Sequence, residues 1–103
     1  MASQVRLSHQ TLIVLRAFLS GTKHGLAGSE IARETKIASG TLYPILARLE
    51  KAGWLTGAWE EIDPAEAGRP RKRFYHLTDD GQANAAEAFR ELGLQKRPSE
   101  WSF

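Results

Sequence analysis

Between Ser39 and Gly53 the chain writes one amphipathic helix with an unusual polar face. At roughly 100° per residue, Leu42, Ile45, Leu46 and Leu49 fall within one apolar arc. Gly40, Tyr43, Pro44, Ala47 and Lys51 fall on the opposite arc, with Thr41 and Arg48 at its border. Proline is tolerated only in a first helical turn, so either Thr41 caps the helix or its start bends at Pro44. Gly53 is a natural stop. A second short helix, Ser29–Thr35, starting at Ser29 or nearer Ala27, precedes it across the turn Lys36-Ile37-Ala38. Two short helices joined by a tight turn restrict the chain to a few folds, and what flanks the pair decides among them.

Upstream, Ser8 is positioned as N-cap of a helix that runs through Leu12, Leu15 and Leu19 and ends at Ser20-Gly21. Ile13, Val14, Ala17 and Phe18 make it apolar nearly all round, so it must be covered on more than one side. In so short a chain, a second subunit is a candidate cover. Downstream, 54–62 and 73–77 read as two strands of a hairpin with a long loop punctuated by Asp63-Pro64 and Gly68-Arg69-Pro70. Thr78 caps a last helix, with Asp79 and Asp80 in its first turn and Gly93 at its end. The expected fold is mainly α with a small β-hairpin, in the order ααα-ββ-α: a winged helix-turn-helix spanning 1–93, followed by a tail, 94–103. In this motif the second helix of the pair, here about 39–53, enters the DNA major groove.

Charge supports that use of the fold. The net charge of +2, from 14 basic and 12 acidic residues, is too small to imply nucleic acid. Its distribution says more: Glu60, Glu61, Asp63 and Glu66 are followed by Arg69, Arg71, Lys72 and Arg73. The basic block falls on the hairpin loop, the wing, beside the recognition helix. Arg69 and Arg71 are the expected phosphate contacts. Lys72 or Arg73 is expected to pair with Glu60 or Glu61 across the hairpin, since alternate strand residues point to opposite faces.

Tyr43 is expected to meet a phosphate or base edge, the alternative being a brace for the helix pair. Ser39 and Thr41 can cap the helix, touch phosphate, or do both, and capping is the ordinary use of such hydroxyls. Gly40 allows close approach of backbone to duplex, or merely fits a turn. Pro44 shares the expected DNA face with Tyr43, and Lys36, Lys51 and Lys72 complete the phosphate candidates.

The run Ser39-Gly40-Thr41-Leu42-Tyr43-Pro44-Ile45-Leu46-Ala47-Arg48-Leu49-Glu50-Lys51-Ala52-Gly53-Trp54-Leu55 resembles the recognition helix of the PadR family of bacterial transcriptional regulators. Gly68-Arg69-Pro70-Arg71-Lys72-Arg73-Phe74-Tyr75-His76-Leu77-Thr78-Asp79-Asp80-Gly81 resembles its wing and second strand. The resemblance covers about residues 8–93. It implies a homodimeric regulator, a repressor or an activator with repression expected, bound to an inverted-repeat operator in double-stranded DNA. It also implies dimerisation through the helices at about 8–20 and 79–93, with Leu12, Leu15, Phe18, Leu19, Ala85, Phe89 and Leu92 as the residues involved.

Other functions find little in the sequence. With no cysteine, thiolate catalysis, disulfides and Cys-based zinc sites are excluded. His9, His24 and His76 lie at no metal-ligand spacing, and no nucleophile motif or phosphate-cradling loop is present. No catalytic residue, metal or cofactor is expected. Leu12–Leu15 is cut short by Arg16, no signal-peptide pattern follows Met1, and a cytoplasmic protein without membrane contact is expected. A planar effector could stack on a tryptophan, and Trp101 is the one to probe; core packing is the commoner use of Trp54, Trp59 and Trp101. The alternative function is a winged-helix protein-interaction module that does not read DNA. A DNA reader needs the basic wing on the same face as Tyr43, and an interaction module does not.

Overall fold

A computed structural model describes residues 5–20 and 25–102. Gly21, His24 and Phe103 lie outside the described residues. The elements follow in the order α1 (His9–Leu19), β1 (Leu26–Ala27), α2 (Gly28–Thr35), α3 (Ser39–Lys51), β2 (Leu55–Trp59), α4 (Pro64–Ala67), β3 (Arg73–Leu77) and α5 (Asp79–Leu92), and a 3-10 turn covers Pro98–Glu100. The expected winged helix-turn-helix is present, with two additions. Leu26 and Ala27 pair with Tyr75 and Phe74, so the hairpin becomes a three-stranded antiparallel sheet in the order β1-β3-β2. The wing also contains α4, which Asp63 caps by accepting from the Ala65 N–H.

The caps read from sequence hold at α1 and α5. Ser8 Oγ accepts from the Thr11 N–H at 3.2 Å. Thr78 Oγ1 accepts from the Gly81 N–H at 2.9 Å and donates to the Gly53 carbonyl at 2.6 Å. One hydroxyl thereby ties the start of α5 to the exit of α3. At α3 the expectation fails. Its N-cap is Ala38, and neither Ser39 nor Thr41 caps it. The helix begins at Ser39 in front of Pro44, so Pro44 lies inside it and leaves the Gly40 carbonyl without its helical donor.

The core is built from α1, α3, α5 and the inner face of the sheet. Leu12, Leu15, Leu42, Leu46, Leu49 and Ile31 are fully buried. This placement corrects the expected dimer contacts. Leu12, Leu15, Phe18, Ala85 and Phe89 are buried within the chain itself and leave little surface for a partner. Leu92 is half-exposed and Leu19 partly so. The second side of α1 is covered by its own chain: α2 and α5 pack on the helix, and the 94–102 segment folds back beside it. Leu94 is buried in the core. Trp101 meets Phe89 at 5.7 Å and the edge of His9 at 5.8 Å, and its indole N–H donates to the Lys96 carbonyl. Among the described residues, no helix is long and apolar enough to cross a membrane.

Candidate nucleic-acid interface

The turn between α2 and α3 sets the exposed helix face. Lys36 adopts the left-handed conformation, φ 62°, which ends α2 sharply. Buried Ile37 then pins the turn to the core. With Leu42, Ile45, Leu46 and Leu49 turned inward, the opposite face of α3 has nowhere to go but solvent. Ser39, Gly40, Thr41, Tyr43, Pro44 and Lys51 are all exposed, as the periodicity requires. Lys51, however, stands about 18 Å along the helix from Ser39, at about 1.5 Å per residue. It belongs to the far end of this surface.

Gly40 is informative for what does not surround it. A Cβ built there meets nothing within 4 Å, so no internal contact calls for glycine. Glycine in a helix interior is about 0.5–1 kcal/mol less favourable than alanine, so Gly40, at the second position of α3, carries up to that cost.

Tyr43 lies across the start of α2, where a Cβ on Gly28 would strike its ring. It shares a cleft with Ser29, Trp59, Arg71, Lys72, Arg73 and Tyr75. The recognition helix and the basic strand of the wing therefore line one surface. Sequence analysis missed Gly28, Ser29, Trp59 and Glu50 as parts of this region. Glu50 alone left a trace: it lies seven residues after Tyr43, on the same helical face.

The wing charges are distributed differently from expectation. Arg69 is bound to Glu60 through two hydrogen bonds, Nη1 to Oε1 at 2.7 Å and Nη2 to Oε2 at 2.8 Å. The Glu60 carboxylate also accepts from the Lys72 backbone N–H at 3.2 Å. The Arg69 hydrogen bonds are the main reason its pKa falls to about 2, against an opposing effect of burial. The guanidinium of Arg69 is pushed further above its usual value by the same contact. Arg73 pairs with Glu50 on α3 at 2.8 Å, and with neither Glu60 nor Glu61. The cross-hairpin pairing thus falls to Arg69, and the pair made by Arg73 runs to the helix. The cause is reach. Gly68 turns the chain back at φ 69°, which brings Arg69 over Glu60.

The structure thus leaves Arg71 and Lys72 as the wing cations outside any ion pair, although the Lys72 charge is felt at the Glu60 carboxylate. Arg71 Nε donates to the Ile62 carbonyl at 2.9 Å, which keeps its guanidinium charge available at the cleft. Among the described residues, no group of three or more His, Asp or Glu is placed to hold a metal.

Three comparisons bear on this geometry. The sequence profile of the transcriptional regulator PadR-like family matches residues 15–87. Among solved structures, smu.1704 from Streptococcus mutans is 34% identical, with a TM-score of 0.62 over 84% of this chain and 76% of that one. A PadR-like transcription factor from Bacteroides fragilis is 25% identical, with a TM-score of 0.64 over 81% and 82% of the two chains. MepR from S. aureus, solved as a DNA complex, is similar in fold at 19% identity; its TM-score is 0.66 over 85% of this chain and 65% of MepR. No curated protein matches the sequence.

Proposed function

The chain belongs to the PadR-like family of transcriptional regulators, not to an enzyme family, and from that premise we propose that it binds an inverted-repeat operator as a homodimer and represses transcription. Each protomer sets α3 in a major groove, with Ser39, Gly40, Thr41, Tyr43 and Pro44 toward the bases. Each wing sets Arg71 and Lys72 on the adjoining backbone, and Lys36 and Lys51 reach phosphates at the two ends of the helix surface. The observation that carries this reading is the cleft shared by Tyr43, Arg71 and Lys72. A pure interaction module has no need to bring a recognition-helix tyrosine and two cations outside any ion pair to one surface. The DNA complex of the similarly folded MepR fits the same use of the fold.

In this proposal, residues 1–93 form the DNA-binding unit, and the outer surfaces of α1 and α5 around Leu19 and Leu92 supply the dimer contact. The tail closes over α1 and α5 within its own protomer. Trp101 is already engaged by Phe89 and His9, so a planar effector would have to displace one of those rings. DNA being the target, the site of action is the bacterial cytoplasm.

Selection from random-sequence duplexes at moderate salt, followed by sequencing of the bound pool, tests the reading. An enriched inverted repeat with half-sites about one helical turn apart supports a dimeric reader. Absence of binding at low salt would replace it with the protein-interaction module.

A further inference from the structure

Four residues converge where the hairpin leaves the core. Gly57 and Trp59 alternate on one face of β2, and Arg73 and Tyr75 on the same face of β3. The Arg73 guanidinium lies 5.2 Å from the centre of the Trp59 ring and 5.8 Å from that of Tyr75. Its Nη2 reaches out of this aromatic cradle to Glu50 Oε2 on α3, at 2.8 Å. Gly57 makes the arrangement sterically feasible. A Cβ there would stand 2.8 Å from Nη2 and 3.0 Å from both Cζ and Nε, so any larger residue must push the guanidinium aside.

We infer that Arg73 is a positioning residue that fixes the angle between wing and recognition helix, with Glu50 as its anchor and Gly57 as the space it requires. Three properties support the assignment. The bridge links elements 23 residues apart in sequence, and it does so at the base of the wing, where a small rotation moves the loop tip furthest. Glu50 lies two helical turns from Tyr43 on the same face of α3, so the anchor belongs to the surface that the wing must match. Arg73 is already paired and stacked, so its charge serves the protein's own geometry while Arg71 and Lys72 face outward. A planar guanidinium stacks on the rings while its fork bridges to Glu50, a geometry that the compact ammonium of lysine on its flexible stem does not reproduce.

The inference rests on the operator-binding reading for its consequence, but its geometry can be measured without DNA. Arg73→Lys, Gly57→Ala and Glu50→Gln are compared with the parent protein by NMR, with residual dipolar couplings of the amides at 59–73 referred to those of α3. The expected result is a reoriented or loosened hairpin in Arg73→Lys and Gly57→Ala with α3 itself unchanged. The charge-reversed pair Glu50→Arg/Arg73→Glu should recover part of the parent orientation. Hydroxyl-radical footprinting on the selected operator then reads the consequence. Protection by the wings should be lost while protection under α3 persists, and affinity should fall by at least about tenfold, since the two wings carry four of the proposed phosphate contacts. Parent-like couplings in all three single variants would overturn the inference, and so would full wing protection in Arg73→Lys. A reoriented hairpin in a protein whose parent protects no DNA would support the positioning role and refute operator binding instead.

Discussion

Removing wing charges in pairs distinguishes a cation that meets phosphate from one that meets its own carboxylate. Arg71 and Lys72 make no ion pair, whereas Arg69 is bound in bidentate fashion by Glu60. In the proposed dimer, Arg71→Gln/Lys72→Gln deletes two cations from each of two wings, hence four phosphate contacts. Each contact contributes about 0.9 to the slope of log affinity against log salt, so the slope should fall by roughly 3.6. The matched variant Glu60→Gln/Arg69→Gln removes one charge of each sign, and its slope should stay close to the parent value. The assay is fluorescence anisotropy of a labelled operator duplex across a potassium chloride series, with a scrambled duplex as control. Both duplexes should show the Arg71/Lys72 effect, since phosphate contacts carry no sequence information. An equal fall in slope for the Glu60/Arg69 variant would refute the reasoning, because it would mean that Arg69 leaves Glu60 for the backbone when DNA arrives.

Gly40→Ala should raise stability by up to about 0.5–1 kcal/mol while weakening operator binding, because the Cβ meets nothing inside the protein and in the proposed complex would stand where the duplex approaches; unchanged affinity would remove Gly40 from the proposed interface. Gly81→Ala should destabilise by about 1–3 kcal/mol or more in chemical denaturation, since its Cβ would overlap the Trp54 carbonyl, a backbone group held by the Thr78 N–H. The Glu60 carboxyl should titrate near 2 rather than near its ordinary 4.5, followed by carboxyl-carbon NMR. Because its folded pKa is depressed, its contribution is fully present above about 4.5 and is lost as pH falls toward 2; a midpoint near 4.5 would mean that the Arg69 contact does not persist in solution.

Much of the fold was legible because local signals agreed. The inward arc of α3 followed from helical periodicity alone, and each of its four apolar residues is buried. Ser8 and Thr78 were legible as caps because each hydroxyl directly precedes the first helical residue, where it reaches an unpaired backbone N–H. β1 was not legible. Two residues carry no alternation, and Leu26–Ala27 is a strand only because Tyr75 and Phe74 lie opposite. The caps expected at Ser39 and Thr41 failed for a related reason. The tight turn through Lys36 and Ile37 places Ala38 at the cap position, and that geometry follows from the packing of α2 on α3.

The interface divides along the same line. Sequence by itself determined which residues face outward on α3 and that the wing is rich in cations, since both follow from residue type and spacing along one segment. Only the tertiary structure decided which cations remain outside any ion pair. Arg69 is neutralised from nine residues away and Arg73 from 23, by carboxylates that a turn and a helix bring within hydrogen-bonding distance. Tertiary packing also decided that the chain's own helices and tail enclose α1. Periodicity states that a helix needs cover, but what supplies the cover depends on how the whole chain closes around it.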